Sequence, residues 1–240
     1  MKTSHLRTAL FVILCFLLHD FRIQAQDKTI LTLAEEYSTA LGKYQNQKNR
    51  ISVESLVKKG QLVADKLDEM ENLNASDYQR LKRKMKGFAV NRDEILYVVP
   101  DAEFFGNLSR KSGTAPDIVF FELLKQIRPG NVWAVYIEQQ TDYSGCTIYG
   151  NGLLTKFYGK TLQFKRQHKK AYESDINIEI DSILNEFSDN PCACGDRNGI
   201  LKEYRLFIKT FPKDKNTTEI RKKLAKLEKS ATVRSNCISG

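Results

Sequence analysis

The chain has 240 residues, a formal net charge of +9 and 41% hydrophobic residues, with 13 Phe and 10 Tyr among them. That apolar content is enough for a buried core and excludes a disordered chain, and the length fits one domain or two small ones. The basic balance favours acidic partners through the field of the whole surface, a bias too general to name one.

Lys2 and Arg7 precede an almost wholly apolar run from residue 9 to residue 18, and a polar stretch, Ile23-Gln24-Ala25-Gln26, follows. The run falls far short of the ~20 residues that cross a bilayer, so it reads as a cleavable export signal, with no transmembrane segment in the mature chain. The expected organisation is a signal peptide over 1–25, a helical body over 26–188, a Cys loop and helical hairpin over 189–230, and a tail over 231–240. The product is periplasmic or secreted. Cleavage removes Lys2, Arg7, Arg22 and Asp20, which brings the charge to +7. It also removes His5 and His19, leaving His168 alone, so a multi-histidine metal site is excluded by counting. No cofactor is expected. The chain carries no phosphate loop, dinucleotide fingerprint, metalloprotease helix or nucleophile elbow.

In the mature chain Ile30, Leu33, Ala34, Tyr37, Leu41 and Tyr44 follow helical spacing. Ser52 is placed to cap a second helix, whose Val53, Leu56, Val63, Leu67 and Met70 keep the period. A third helix starts near Ser76, with Tyr78, Leu81, Met85 and Phe88 inward, and Arg80, Lys82, Arg83, Lys84 and Lys86 on a solvated face. Ile95–Val99 predicts a strand closed by Pro100. Asp101 caps a short helix that Gly113 ends, and Pro116 opens another with Ile118, Phe121, Leu124 and Ile127 inward. Val132–Ile137, with the only tryptophan, suits a second strand, although its length also allows one turn of buried helix. Helices follow over 153–164 and 172–187, the latter with Ile176, Ile180, Ile183, Leu184 and Phe187 on one stripe. The expected fold class is mainly α: a multi-helix domain with at most a small β element, formed by Ile95–Val99 and Val132–Ile137, and a C-terminal helical hairpin.

In that hairpin Tyr204, Phe207 and Phe211 precede Pro212, and Ile220, Leu224 and Leu227 line the second arm after a capping-box-like Asn216 and Glu219. The pattern resembles one tetratricopeptide-like repeat of bacterial envelope proteins; arrays need about three copies.

The mature cysteines are Cys146, Cys192, Cys194 and Cys237, an even number in an oxidising compartment. A Cys192–Cys194 ring is too tight, so Cys146 is expected to bond to Cys192 or Cys194. A metal held by Cys192-x-Cys194 is disfavoured, because zinc ligands usually stand two to four residues apart.

Two carboxylates, two amides and hydroxyls emerge from the apolar anchor Tyr136-Ile137. Glu138, Gln139, Thr141 and Asp142 are therefore the candidate binding residues. Thr141-Asp142-Tyr143, with Glu122 upstream on a Phe-rich helix, resembles the carboxylate region of small secreted lysozymes, although the rest of that family's pattern is absent. The expected function is that of a non-enzymatic binding or accessory module of the cell envelope, with an acidic envelope polymer or a protein as partner. The alternative is a small secreted glycan hydrolase using Glu138, Asp142 or Glu122.

Overall fold

A computed structural model describes residues 29–46, 51–68, 73–91, 97–130, 132–141 and 144–229. The expected signal segment, Met70, Ile95, Leu96, Asp142, Tyr143, Cys237 and the tail lie outside the described residues.

Helix α1 (Ile30–Asn46) buries Ile30, Ala34, Tyr37, Leu41 and Tyr44 along one stripe. Helix α2 (Val53–Asp68) begins where Ser52 Oγ accepts the Ser55 N–H at 3.1 Å, and buries Val53, Leu56, Val63 and Leu67. In α3 (Ala75–Lys84) the cap is Asn74, whose side chain accepts the Asp77 N–H at 2.9 Å. The helix stops before Phe88, because Gly87 turns the chain left-handed at φ +86°.

Phe88 instead opens strand β1 (Phe88–Asn91), antiparallel to β2 (Tyr97–Pro100) in the register Phe88↔Pro100, Ala89↔Val99. The predicted strand near Val99 is thus real, but its partner is Phe88–Asn91 and not Val132–Ile137. Packing explains the choice. The Phe88 ring lies over Gly60 of α2 so closely that a Cβ there would meet ring carbon at 2.0 Å. The same ring makes edge contacts with Tyr37 at 5.2 Å and Phe105 at 5.3 Å.

Asp101 Oδ1 accepts the N–H groups of Glu103 and Phe104 at 2.9 and 3.0 Å and so caps α4 (Ala102–Ser112). Helix α5 (Ala115–Ile127) has Pro116 in its first turn and buries Phe120, Phe121, Leu123, Leu124 and Ile127. After it the predicted strand over Val132–Ile137 is bends and turns up to Ile137. Its backbone groups are already taken: Val135 N–H donates to the Ile127 carbonyl at 2.7 Å, and Arg128 donates to the Val132 carbonyl at 2.7 Å. Only Ile137 enters a ladder, as the start of β3 (Ile137–Gln139), which pairs with β4 (Gly145–Thr147).

Helices α6 (Leu153–Gln167) and α7 (Glu173–Glu186) form one hairpin, α8 (Arg197–Thr210) and α9 (Thr217–Lys229) another. Tyr158 of α6 packs on Phe207 and Phe211, with centroids 4.9 and 5.1 Å away, so the hairpins share a core. The expected Asn216–Glu219 capping box does not form. The Asn216 side-chain amide turns inward and donates to Tyr158 Oη and Asp214 Oδ1, each at 3.0 Å. Cys146 is bonded to Cys194, with Cα atoms 5.0 Å apart, and Cys192 is also disulfide-bonded. The described residues are thus mainly α, with two small two-stranded sheets. Among them no helix is long and apolar enough to cross a membrane.

Candidate functional site

The polar segment that follows Tyr136-Ile137 becomes the β3–β4 hairpin. Glu138 stands opposite Cys146 in the ladder, and Glu138, Gln139 and Thr141 are exposed. Gln140 Nε2 donates to Glu138 Oε1 at 3.2 Å, and the Thr141 and Ser144 hydroxyls share a hydrogen bond of 2.8 Å. Asp142 lies outside the described residues. Behind the hairpin Thr147 makes a short parallel bridge with Ala193, donating to the Cys192 carbonyl at 2.9 Å and accepting the Cys194 N–H at 3.1 Å. The disulfide therefore fastens backbone that is already paired. Glu122 is elsewhere, on α5, ion-paired with Arg110. Among the described residues no group of three or more His, Cys, Asp or Glu could hold a metal ion.

A different segment concentrates charge. From Leu153 to Tyr172 the sequence has six basic residues and no acidic one. They are Lys156, Lys160, Lys165, Arg166, Lys169 and Lys170. None of the six is ion-paired among the described residues. The run Arg80–Lys86 differs, since Arg80 pairs with Asp77 and Lys84 with Glu35. Along α6 the positions Lys156, Lys160, Gln163 and Gln167 recur every three or four residues and so share one stripe.

The fold holds this helix at both ends. At its start Gly152 adopts the left-handed region, and the fully buried Glu203 of α8 fills the helix N-terminus. Its carboxylate accepts the N–H groups of Gly150, Gly152 and Thr155 and the Thr155 hydroxyl, at 2.8 to 3.2 Å. The negative charge complements the positive end of the helix dipole. At its far end Tyr172 also takes a left-handed conformation, φ 50°, which costs about 1 kcal/mol or more. Burial offsets that cost. The ring stacks on Phe120 at 3.9 Å and its hydroxyl donates to Asp117 Oδ1 at 2.7 Å. Asp117 also accepts the N–H and hydroxyl of Thr114, so one carboxylate ties the start of α5 to the start of α7.

Helix α7 carries five acids and no base, yet among the described residues none of the five is ion-paired with α6. Its Glu179 is buried and takes two hydrogen bonds from Arg128, at 2.8 and 3.2 Å. Glu186 accepts the Thr147 hydroxyl, and burial raises its carboxyl above the usual range. Burial raises Asp175 likewise. Lys165 of α6 meets α7 at a neutral group, Asn177 Oδ1, 2.6 Å away.

Between α5 and α6 runs a groove of about 270 Å³. Ile118, Val119, Leu123 and Phe164 form its floor. Its rim carries Glu122, Gln126, Gln163, Gln167 and Lys160, and the Lys160 amine donates to Gln126 Oε1. Glu122 is the one carboxylate among these lining residues, and Glu138 is not among them. A search of the sequence for polar loops misses this face. Its signal is of another kind, twenty residues with six bases and no acid. Compared with protein families, with curated proteins and with solved structures, the chain matches none of them.

Proposed function

We propose that the chain is an exported, non-enzymatic binding module of the cell envelope that holds an acidic polymer on the face of α6. The observation that carries the reading is the set of six bases on α6 and its following turn, with no ion pair among the described residues. Cations paired at the surface gain little from a polyanion, because they must first give up a partner. A row without ion-pair partners has no carboxylate to give up, gains that attraction more fully, and holds less tightly as salt rises. Export is supported by the apolar run near the N-terminus and by the Cys146–Cys194 disulfide, since such bonds persist in oxidising compartments. The C-terminal hairpin, tetratricopeptide-like in pattern, serves as a support that sets α6 through Tyr158 and Glu203.

The test compares binding of a long polyanion by the parent protein, by Lys156→Glu with Lys170→Glu, and by Arg80→Glu with Arg83→Glu. The α6 variant is expected to lose about tenfold or more in affinity, and the parent to weaken steadily with salt. The α3 variant should bind nearly as the parent does. Equal losses in the two variants, or no binding by the parent, would refute the reading. Export is tested by N-terminal sequencing of protein recovered outside the cytoplasm, with Gln26 expected first; an intact Met1 there would count against cleavage.

A further inference from the structure

We propose that the polymer is an acidic polysaccharide, lying as a strand along the groove between α5 and α6; this rests on the reading that α6 binds an acidic polymer. The groove adds to the cations two features that a bare chain of charges would not use.

The first is its apolar floor of Ile118, Val119, Leu123 and Phe164, with Val119 42% exposed at the surface. The second is its amide rim. Gln163 and Gln167 stand beside that floor, and a carboxamide both donates and accepts, whereas the Gln126 amide is already bonded to Lys160 and to the Glu122 carbonyl. A sugar ring matches both: its C–H face is apolar, and its hydroxyls need donors and acceptors together. Polyphosphate offers acceptors alone and has no apolar face. Single-stranded nucleic acid calls for exposed aromatic platforms, whereas Phe157 and Phe164 of α6 are buried. A lipid surface calls for a broad apolar band, and Val119 is a single residue.

Size and charge agree. At about 270 Å³ the groove lies near the lower end of small-ligand sites and suits one ring of a strand at a time. The stripe from Lys156 to Gln167 spans eleven residues, or about 17 Å of helix, and so extends beyond that ring in the direction of the strand. Lys156, one turn before Lys160 on the same stripe, then meets the carboxylate or sulfate of a neighbouring ring. Glu122, the carboxylate on the rim, is compensated by its ion pair with Arg110.

The experiment titrates the full chain with an oligogalacturonate, a polyphosphate of equal charge, a neutral oligosaccharide, a single-stranded oligonucleotide and anionic vesicles. It is repeated with Gln163→Ala plus Gln167→Ala, which removes two exposed amides and leaves the charge unchanged. Oligogalacturonate is expected to bind tightest. The double variant should weaken it about tenfold, as loss of two hydrogen bonds implies, and leave polyphosphate binding unaltered. If polyphosphate binds as tightly and the double variant changes neither, the sugar is wrong while the cationic face stands. Tighter binding of the oligonucleotide or the vesicles also overturns the sugar. If no anionic probe binds, both readings fall together. Unchanged thermal melts of the double variant establish that the fold is intact in each arm.

Discussion

Glu203 shows how much one buried carboxylate can organise. It is fully buried and accepts four hydrogen bonds, three of them from backbone N–H groups at the start of α6. Glu203→Ala would leave those donors buried without partners, at about 1–3 kcal/mol each. A fall in melting temperature of roughly 10 °C or more is therefore expected. Glu203→Gln, which keeps one acceptor oxygen, should fall by less; equal losses would show that volume and not hydrogen bonding is at stake. Glu186 and Asp175 give the opposite kind of prediction. Burial raises both carboxyls, so between their unfolded and folded values the native state binds more protons than the unfolded chain. Their contribution to stability therefore increases as pH falls from neutral into that window, and declines as pH rises through it. Urea unfolding of Glu186→Gln at a series of pH values should show a shallower dependence than the parent, with no loss of stability at neutral pH. A parent-like slope in that variant would remove Glu186 as a cause. Tyr172→Phe, which deletes only the hydroxyl bonded to Asp117, should cost about 1–2 kcal/mol by the same melts.

Elements that bury a wide helical stripe are legible in the amino-acid order alone, and short ones are not. The α8–α9 hairpin is readable because Tyr204, Phe207 and Ile220 repeat at helical spacing, and all three are buried. Phe207 is ringed by Tyr158, Phe187 and Phe211 at 4.8 to 5.1 Å. Phe207→Ala is expected to cost about 3–5 kcal/mol, read as a lower urea midpoint with an unchanged slope. Strand β1 is hidden because Phe88 continues the spacing of Leu81 and Met85, and four residues are too few for a period of two to compete. The run Val132–Ile137 misleads in the other direction. Its apolar, β-branched composition suits a strand, but Ile127 and Arg128 take its backbone groups. The hairpin carrying Glu138, Gln139 and Thr141 reads as a polar loop pinned by a cysteine, whereas Glu138 and Gln139 lie in strand β3. A loop's sequence does not state whether its side chains converge, and these face outward. The face of α6 is half legible: the bases can be counted, but the inward turn of Glu179 and Glu186 on α7 is a matter of packing. For the covalent frame, non-reducing peptide mapping should join Cys146 to Cys194 and leave Cys192 with Cys237 by elimination. Breaking the first bond by Cys194→Ala should cost about 4 kcal/mol on the chain-entropy account.

At the scale of the whole molecule, charge is sorted by helix, since α6 with its turn carries six bases while α7 carries five acids. An aromatic chain runs beneath this surface from Tyr37 through Phe88, Phe105 and Phe121 to Tyr172, with neighbouring centroids 5.2 to 5.6 Å apart. It joins α1 to the turn that ends the cationic face. A polymer that binds this face should therefore stabilise the whole fold by mass action. Saturating oligogalacturonate is expected to raise the melting temperature of the parent by a few degrees and that of Lys156→Glu with Lys170→Glu far less; equal rises would place the ligand elsewhere. The disulfide has another effect at this scale. Cys146 and Cys194 close a ring that contains all of α6, all of α7 and the exposed Lys169-Lys170 pair between them. A trypsin-like protease cutting after Lys170 thus opens the ring without releasing either piece. The nicked protein should migrate as one species without reductant and as two with it, so a single scission at this basic turn leaves a covalently joined molecule.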